Sequence, residues 1–249
     1  MMIPQQLLTY APAPDLLKDR VILVTGATGG IGRALSLACA AHGATVILLD
    51  KAIKSLEKVY DEIEAAGGPQ PAIYPMNLEG ATAKDYQDLA ENVGNEFGRL
   101  DGLVHNAAFV GYLTPLKHYD LELWARVMTV NLHAPFLLTH AVLPLLEQSP
   151  DPSVVFSTHD CQKAYWGGFG VAKAGQQGLM DILAKEYQGD RKMRVNGVDT
   201  GPIRSRLRAE QYPGEDPTTL ATPEEVIGPY LYLLGPDAGQ TTGQNLKLA

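Results

Sequence analysis

Short runs of β-branched and aliphatic residues recur along the chain: VILVT (21–25), TVILL (45–49), AIYPM (72–76), GLVH (102–105), SVVFS (153–157) and RVNGV (194–198). None alternates apolar with polar positions as a half-exposed sheet would, so the pattern predicts strands buried on both faces. Helical stretches lie between them. IGRALSLACAAHGA closes at Gly43, and SLEKVYDEIEAAGG closes at Gly67 and Gly68, glycine being the usual residue just past a helix end. Strand then helix, repeated, predicts right-handed crossovers and an α/β fold in three layers, with a parallel sheet covered by helices on both sides. Residues 1–18 read as an N-terminal extension. Residues 19–249 read as one domain, since no linker-like segment interrupts them.

The first strand runs directly into TGATGGIG (25–32) and then into a helix. Glycines there suit a tight turn, a close backbone approach to a pyrophosphate and tight helix-to-strand contact, while the helix N-terminus supplies amide donors and positive dipole. Three glycines alone are weak evidence. Their place after a strand and before a helix raises dinucleotide binding well above an ordinary turn. The second strand ends at Asp50, whose carboxylate can accept both ribose hydroxyls of an adenosine and would repel a 2′-phosphate. This favours NAD over NADP, although the neighbouring Lys51 partly offsets the charge.

The chain has 249 residues, 45% of them hydrophobic, which is ample for a buried core. Its formal net charge of −8, with no lysine-arginine run, argues against nucleic acid and anionic membranes as partners. The N-terminus lacks a basic start followed by an apolar run, and no stretch is read as approaching the roughly 20 apolar residues that span a bilayer. A cytoplasmic protein is expected. The two cysteines, Cys39 and Cys161, have no metal-type spacing and are expected to be reduced thiols.

From about residue 19 the chain resembles the short-chain dehydrogenases/reductases, and within them a bacterial group of uncharacterised oxidoreductases. The motif TGxxxGIG is matched by Thr25, Gly26, Gly30, Ile31 and Gly32; an NAG stretch appears as Asn106, Ala107 and Ala108; and the helix asparagine falls at Asn131 in VMTVNLHAPF. The proline-glycine turn after the sixth strand appears as Thr200 and Gly201 followed by a displaced Pro202, and the acidic residue beside the adenine is here Asn77. The resemblance implies a Rossmann-type doubly wound sheet of about seven strands and a homodimer or homotetramer packed through long helices. It also implies cofactor contacts from the glycine turn with Thr28, from Asp50, from Asn77 and Leu78, from Asn106 and Ala107, and from Lys173 and Pro202.

In this family a tyrosine, lowered in pKa by a lysine four residues later, protonates the substrate carbonyl oxygen while the nicotinamide delivers hydride, and a serine orients the carbonyl. Lys173 is present, but Phe169 in YWGGFGVAK holds the tyrosine position, and His159 in FSTHDCQ aligns best with the serine, with Ser157 and Thr158 as neighbours. Losing a general acid costs about 10²–10⁴-fold in rate. Three readings follow. The chain is an oxidoreductase whose surrogate acid is His159, an imidazole that titrates near neutrality, or Tyr165, one helical turn before Phe169. Alternatively it is a catalytically silent NAD(H)-binding sensor or assembly protein, in which Lys173 still holds the nicotinamide ribose. A non-redox enzyme using His159 as base comes last.

The substrate, a small molecule, is expected between two walls. One is FVGYLTPLKHYD, with Phe109 and Tyr112 as apolar contacts. The other follows Pro202, where Arg204, Arg206 and Arg208 could receive an anion and Thr222, Pro223 and Glu225 start a helix. His159, Asp160 and Cys161 in succession do not make a metal site, because contiguous residues rarely converge on one ion.

Overall fold

The computed structural model describes residues 4–189 and 193–248. Its seven strands are β1 (Val21–Thr25), β2 (Thr45–Asp50), β3 (Ala72–Pro75), β4 (Gly102–His105), β5 (Ser153–Ser157), β6 (Arg194–Asp199) and β7 (Asn245–Lys247). They pair in the order β3-β2-β1-β4-β5-β6-β7, and every pairing is parallel. Six match the predicted runs. The apolar pattern did not mark β7 because only Leu246 of its three residues is buried.

The helices are α1 (Pro4–Leu7), α2 (Gly30–Ala41), α3 (Ile53–Ala65), α4 (Ala83–Phe97), α5 (Leu121–Met128), α6 (Ala134–Leu146), α7 (Gly167–Glu186), α8 (Arg206–Gln211) and α9 (Gly228–Leu234). Their apolar residues recur at helical spacing and face the sheet, as with Leu56, Val59 and Ile63 of α3 and Tyr86, Leu89 and Val93 of α4. Caps set their ends: Thr82 and Asp85 form a capping box at α4, and the Asp120 carboxylate accepts from the Leu123 amide at α5.

The missing alternation has a direct explanation. Ile22, Val24, Val46 and Leu48 enter one core with α2, α3 and α9, while Val21, Leu23, Ile47 and Leu49 enter a second core with α4, α6 and α7. Both faces of each inner strand are therefore apolar. Leu7, Leu16 and Leu17, which precede β1, lie in the first core.

One expectation is corrected. Leu121–Leu146, which joins α5, a π turn at Thr129–His133 and α6, is 26 residues long and apolar enough by length and composition to cross a membrane. Its apolar character is used in packing: Ala134, Leu138, Val142 and Leu146 belong to the second core.

The predicted start of a helix near Thr222 is a short 3₁₀ turn, Glu224–Val226, in which the Thr222 amide donates to Glu225 before α9 begins at Gly228.

Asp101, buried at the amino end of β4, ties this edge together. It accepts from the Val21 amide at 2.8 Å, from Arg99 Nε at 3.0 Å and from Ser149 Oγ at 2.6 Å. Asp101→Ala leaves the Val21 amide buried without this acceptor and should lower stability by about 2–3 kcal/mol, read as a lower urea midpoint at unchanged slope.

Candidate active site

The order of strands reverses between β1 and β4, and a cavity of about 610 Å³ opens at the carboxyl ends of the strands beside that point. The turn after β1 makes its floor. Gly26 has φ +65°, and a Cβ there would stand 2.8 Å from Ala107 Cα; a Cβ at Gly32 would stand 2.0 Å from the Gly26 carbonyl oxygen. Both positions require glycine for contact between backbones. Asn106 fastens the turn from the β4 side. Its Nδ2 donates to the Thr25 and Gly26 carbonyls at 3.1 and 3.2 Å, while the Asn106 and Ala107 amides donate to Thr25 Oγ1. The first turn of α2, capped by Gly29 without a side-chain hydrogen bond, presents its amides at the cavity. That donor set and the glycine cradle fit a dinucleotide pyrophosphate.

Asp50 behaves differently from the expectation. One carboxylate oxygen accepts from Thr28 Oγ1 at 2.7 Å and the Thr28 amide at 3.3 Å, and the other accepts from the Lys51 and Ala52 amides at 2.7 and 3.3 Å. Four bonds occupy about all the lone-pair directions of a carboxylate. Asp50 thus anchors the two loops that border the adenosine end of the cavity, and the exposed Lys51 lines that end.

Of the other expected cofactor contacts, Thr28, Gly30, Ile31, Asn77, Leu78, Ala107 and Pro202 all line the cavity, whereas Gly32 lies beneath it. Asn131, in the π turn, is fully buried. Its side chain donates to the Phe109 and Val127 carbonyls, both at 2.7 Å, and accepts from the Phe109 amide, so it holds the loop after β4 instead of facing the cavity.

At the other end, Phe169 is 3% exposed and packs with Val110, Cys161 and Ala172 in a third apolar cluster. Lys173 is buried behind it. The amine donates to the Ser157 carbonyl at 2.7 Å and to Gln176 Oε1 at 3.0 Å, and burial lowers its pKa to about 8 against the opposing pull of Cys161 and Asp199. Ser157 Oγ is engaged by Asn106 and the Tyr230 hydroxyl, and Thr158 Oγ1 donates to Asn245.

His159 lines the cavity, with Nδ1 3.5 Å from Asp199 Oδ1. Burial works to raise the Asp199 carboxyl, but His159 and the amides of Gly201 and Asp160 outweigh it and hold the group below the usual carboxylate range. Asp199 was not singled out from the sequence, because its position as the last residue of β6 follows only from where that strand ends.

Tyr165 is corrected: α7 begins at Gly167, and Tyr165 precedes it at φ +75°, more than half exposed and outside the cavity lining. The three arginines also fail to form an anion site. Arg204 donates to the Pro217 and Leu220 carbonyls, Arg206 pairs with Glu210, and Arg208 pairs with Glu215. Burial pushes the Cys161 thiol up to about 12, which keeps it protonated and inert. His105, buried under the cavity against Phe156 and Thr139, is lowered to about 3 by burial and then by Lys173, so it stays neutral.

A family profile described as short chain dehydrogenase matches residues 20–216. An uncharacterised oxidoreductase of Escherichia coli K12, YciK, is 40% identical over 237 residues, 94% of this chain and 93% of the relative. A short chain dehydrogenase structure from Pseudomonas syringae is 47% identical with a TM-score of 0.94, covering 96% of this chain and 98% of that one. Two further structures, each covering 95% of this chain and 99% of their own, superpose with a TM-score of 0.92. One, from Shigella flexneri, is 38% identical and complexed with NADP; the other, from E. coli CFT073, is 40% identical and complexed with NADPH. These complexes overturn the expectation of NAD over NADP. The physical reason lies in Asp50, which lines the cavity with both carboxylate oxygens already bonded to its own loops, and in the exposed Lys51 beside it, a cation suited to a 2′-phosphate.

Proposed function

We propose that this chain, which belongs to the short chain dehydrogenase family, is an NADP(H)-dependent oxidoreductase acting on a carbonyl or alcohol, with His159 as proton donor in place of the missing tyrosine. The observation that carries this reading is the His159–Asp199 pair, which puts an imidazole on the cavity wall with a carboxylate behind its Nδ1. The NADP and NADPH complexes of the similar structures support the cofactor assignment.

The amides at the start of α2 would hold the pyrophosphate, Lys51 the 2′-phosphate, Asn77 and Leu78 the adenine, and Lys173 the ribose hydroxyls at the nicotinamide end. When bound, the reduced cofactor supplies a hydride to the carbonyl carbon. His159 gives its Nε2 proton to the carbonyl oxygen, which completes the alcohol and leaves a neutral imidazole that solvent reprotonates. Asp199 keeps the Nδ1 proton in place, stabilises the charged form and so fixes which nitrogen faces the cavity. Phe169 excludes water from the same wall, and Asn131 positions the loop that carries Phe109.

Three tests follow. By calorimetry NADPH should bind more tightly than NADH, and Lys51→Glu should weaken NADPH by about tenfold or more, in keeping with a charged contact of roughly 1.5–3 kcal/mol, while leaving NADH little changed. Equal effects on both cofactors would remove Lys51 from this role. Across a carbonyl panel, His159→Gln should slow turnover by about 10²-fold or more at unchanged NADPH affinity. Asp199→Asn should slow turnover at unchanged NADPH affinity, because the imidazole loses the carboxylate that orients its ring. NADPH binding with turnover only in Phe169→Tyr would instead establish a silent binder.

Phe136 on α6 and Val171 and Ile182 on α7 are exposed, which supports a homodimer or homotetramer packed through these helices. Sedimentation at micromolar concentration should give two or four chains; a monomer would remove that assembly.

A further inference from the structure

Rings and aliphatic side chains form a wall at one end of the cavity, beside the polar Arg206, Arg208, Glu210 and Gln211 of α8. Phe109 and Val110 come from the loop after β4, Trp166 and Phe169 from the start of α7, and Leu207 and Tyr212 from α8 and its end. The rings form a continuous wall. Trp166 lies 5.8 Å from Phe169 at an interplanar angle of 33°, 6.5 Å from Tyr212 at 45°, and 5.4 Å from the His159 ring.

Two features fix the outer part of this wall. The Arg208 guanidinium stacks 3.7 Å from the Tyr212 ring centroid while its nitrogens pair with Glu215 at 2.6 and 2.7 Å. Gln211 Nε2 donates to the Gly111 carbonyl at 2.9 Å, which ties α8 across to the opposite loop.

The arginines nearby are paired with carboxylates of the protein: Arg206 with Glu210, Arg208 with Glu215, and Arg126 with Glu79 while stacking over Phe109. The buried Lys173 amine donates to two neutral acceptors, the Ser157 carbonyl and Gln176. An anionic ligand at the arginines would compete with the carboxylates already there. A flat, uncharged ligand would instead keep every pair and cover ring faces that prefer offset-stacked or edge-on partners. His159 reaches the cavity beside the rings, together with Ser157, Thr158 and Lys173.

We propose that this slot selects an uncharged aromatic carbonyl compound, an aryl ketone or aldehyde, with its ring system against Trp166 and Tyr212 and its carbonyl toward His159. The proposal rests on the redox reading above for what happens to the carbonyl, but the selection for a flat aromatic body is a property of the walls and is measured without turnover.

The chain has two tryptophans, Trp124 and Trp166. In a Trp124→Phe background Trp166 becomes the fluorescent reporter, and the NADP⁺-loaded protein is titrated with three probes of similar size: 2-acetylnaphthalene, 1-decalone and 2-naphthoate. Saturable quenching by 2-acetylnaphthalene, with at least tenfold higher affinity than either decalone or naphthoate, is the expected result. Tyr212→Leu keeps an apolar side chain but removes the ring, and should weaken acetylnaphthalene about fivefold while leaving decalone unchanged. Equilibrium dialysis of the unaltered protein with the same probes gives the same ranking without any substitution. Equal affinity for acetylnaphthalene and decalone, or tighter binding of naphthoate, would overturn the proposal. Selective binding of acetylnaphthalene without turnover would support the slot and remove only the proton-donor role of His159.

Discussion

The site depends first on a contact between backbones. With hydrogen in place of a side chain at Gly26 and Gly32, the turn after β1 lies against Ala107 and against its own returning helix, closer than any Cβ allows. Asn106 then locks that turn to the end of β4 through both Thr25 and Gly26. The consequence is a fixed distance between the start of α2 and the far end of the cavity, where the loop after β5 carries His159 and α7 carries Lys173. A larger residue at position 32 would disturb the phosphate end and, through Asn106 and its contact with Ser157, the far end as well.

The fold was legible because its signals are local and redundant. Six apolar runs became six strands, and both cores account for their lack of alternation. The site was only partly legible. Glycine requirements and the lysine position survive from sequence to structure, because each depends on a short stretch of chain. Asp50 misled because a carboxylate at the end of β2 says nothing about which way it points; here it turns inward onto Thr28 and the following amides. Tyr165 misled because helical spacing was extended past the true start of α7. Asp199, Trp166 and Tyr212 escaped notice since their meaning arises only when β6, α7 and α8 meet.

Two buried charged groups stand near His159. Lys173, held down to about 8 by burial, sits on the same wall as Asp199, which stays ionised despite burial because backbone amides and His159 favour its charge. Phe169 and the protonated Cys161 thiol pack together in the third apolar cluster, and neither exchanges protons at neutral pH. That leaves the Lys173 amine and the His159 imidazole, which lines the cavity beside Asp199, as the nitrogen bases of this wall.

The Gln211 to Gly111 hydrogen bond joins α8 to the loop after β4. One neutral bond between a side chain and a carbonyl is a weak tie, worth about 0.5–1.5 kcal/mol, so the two segments are linked without being locked together.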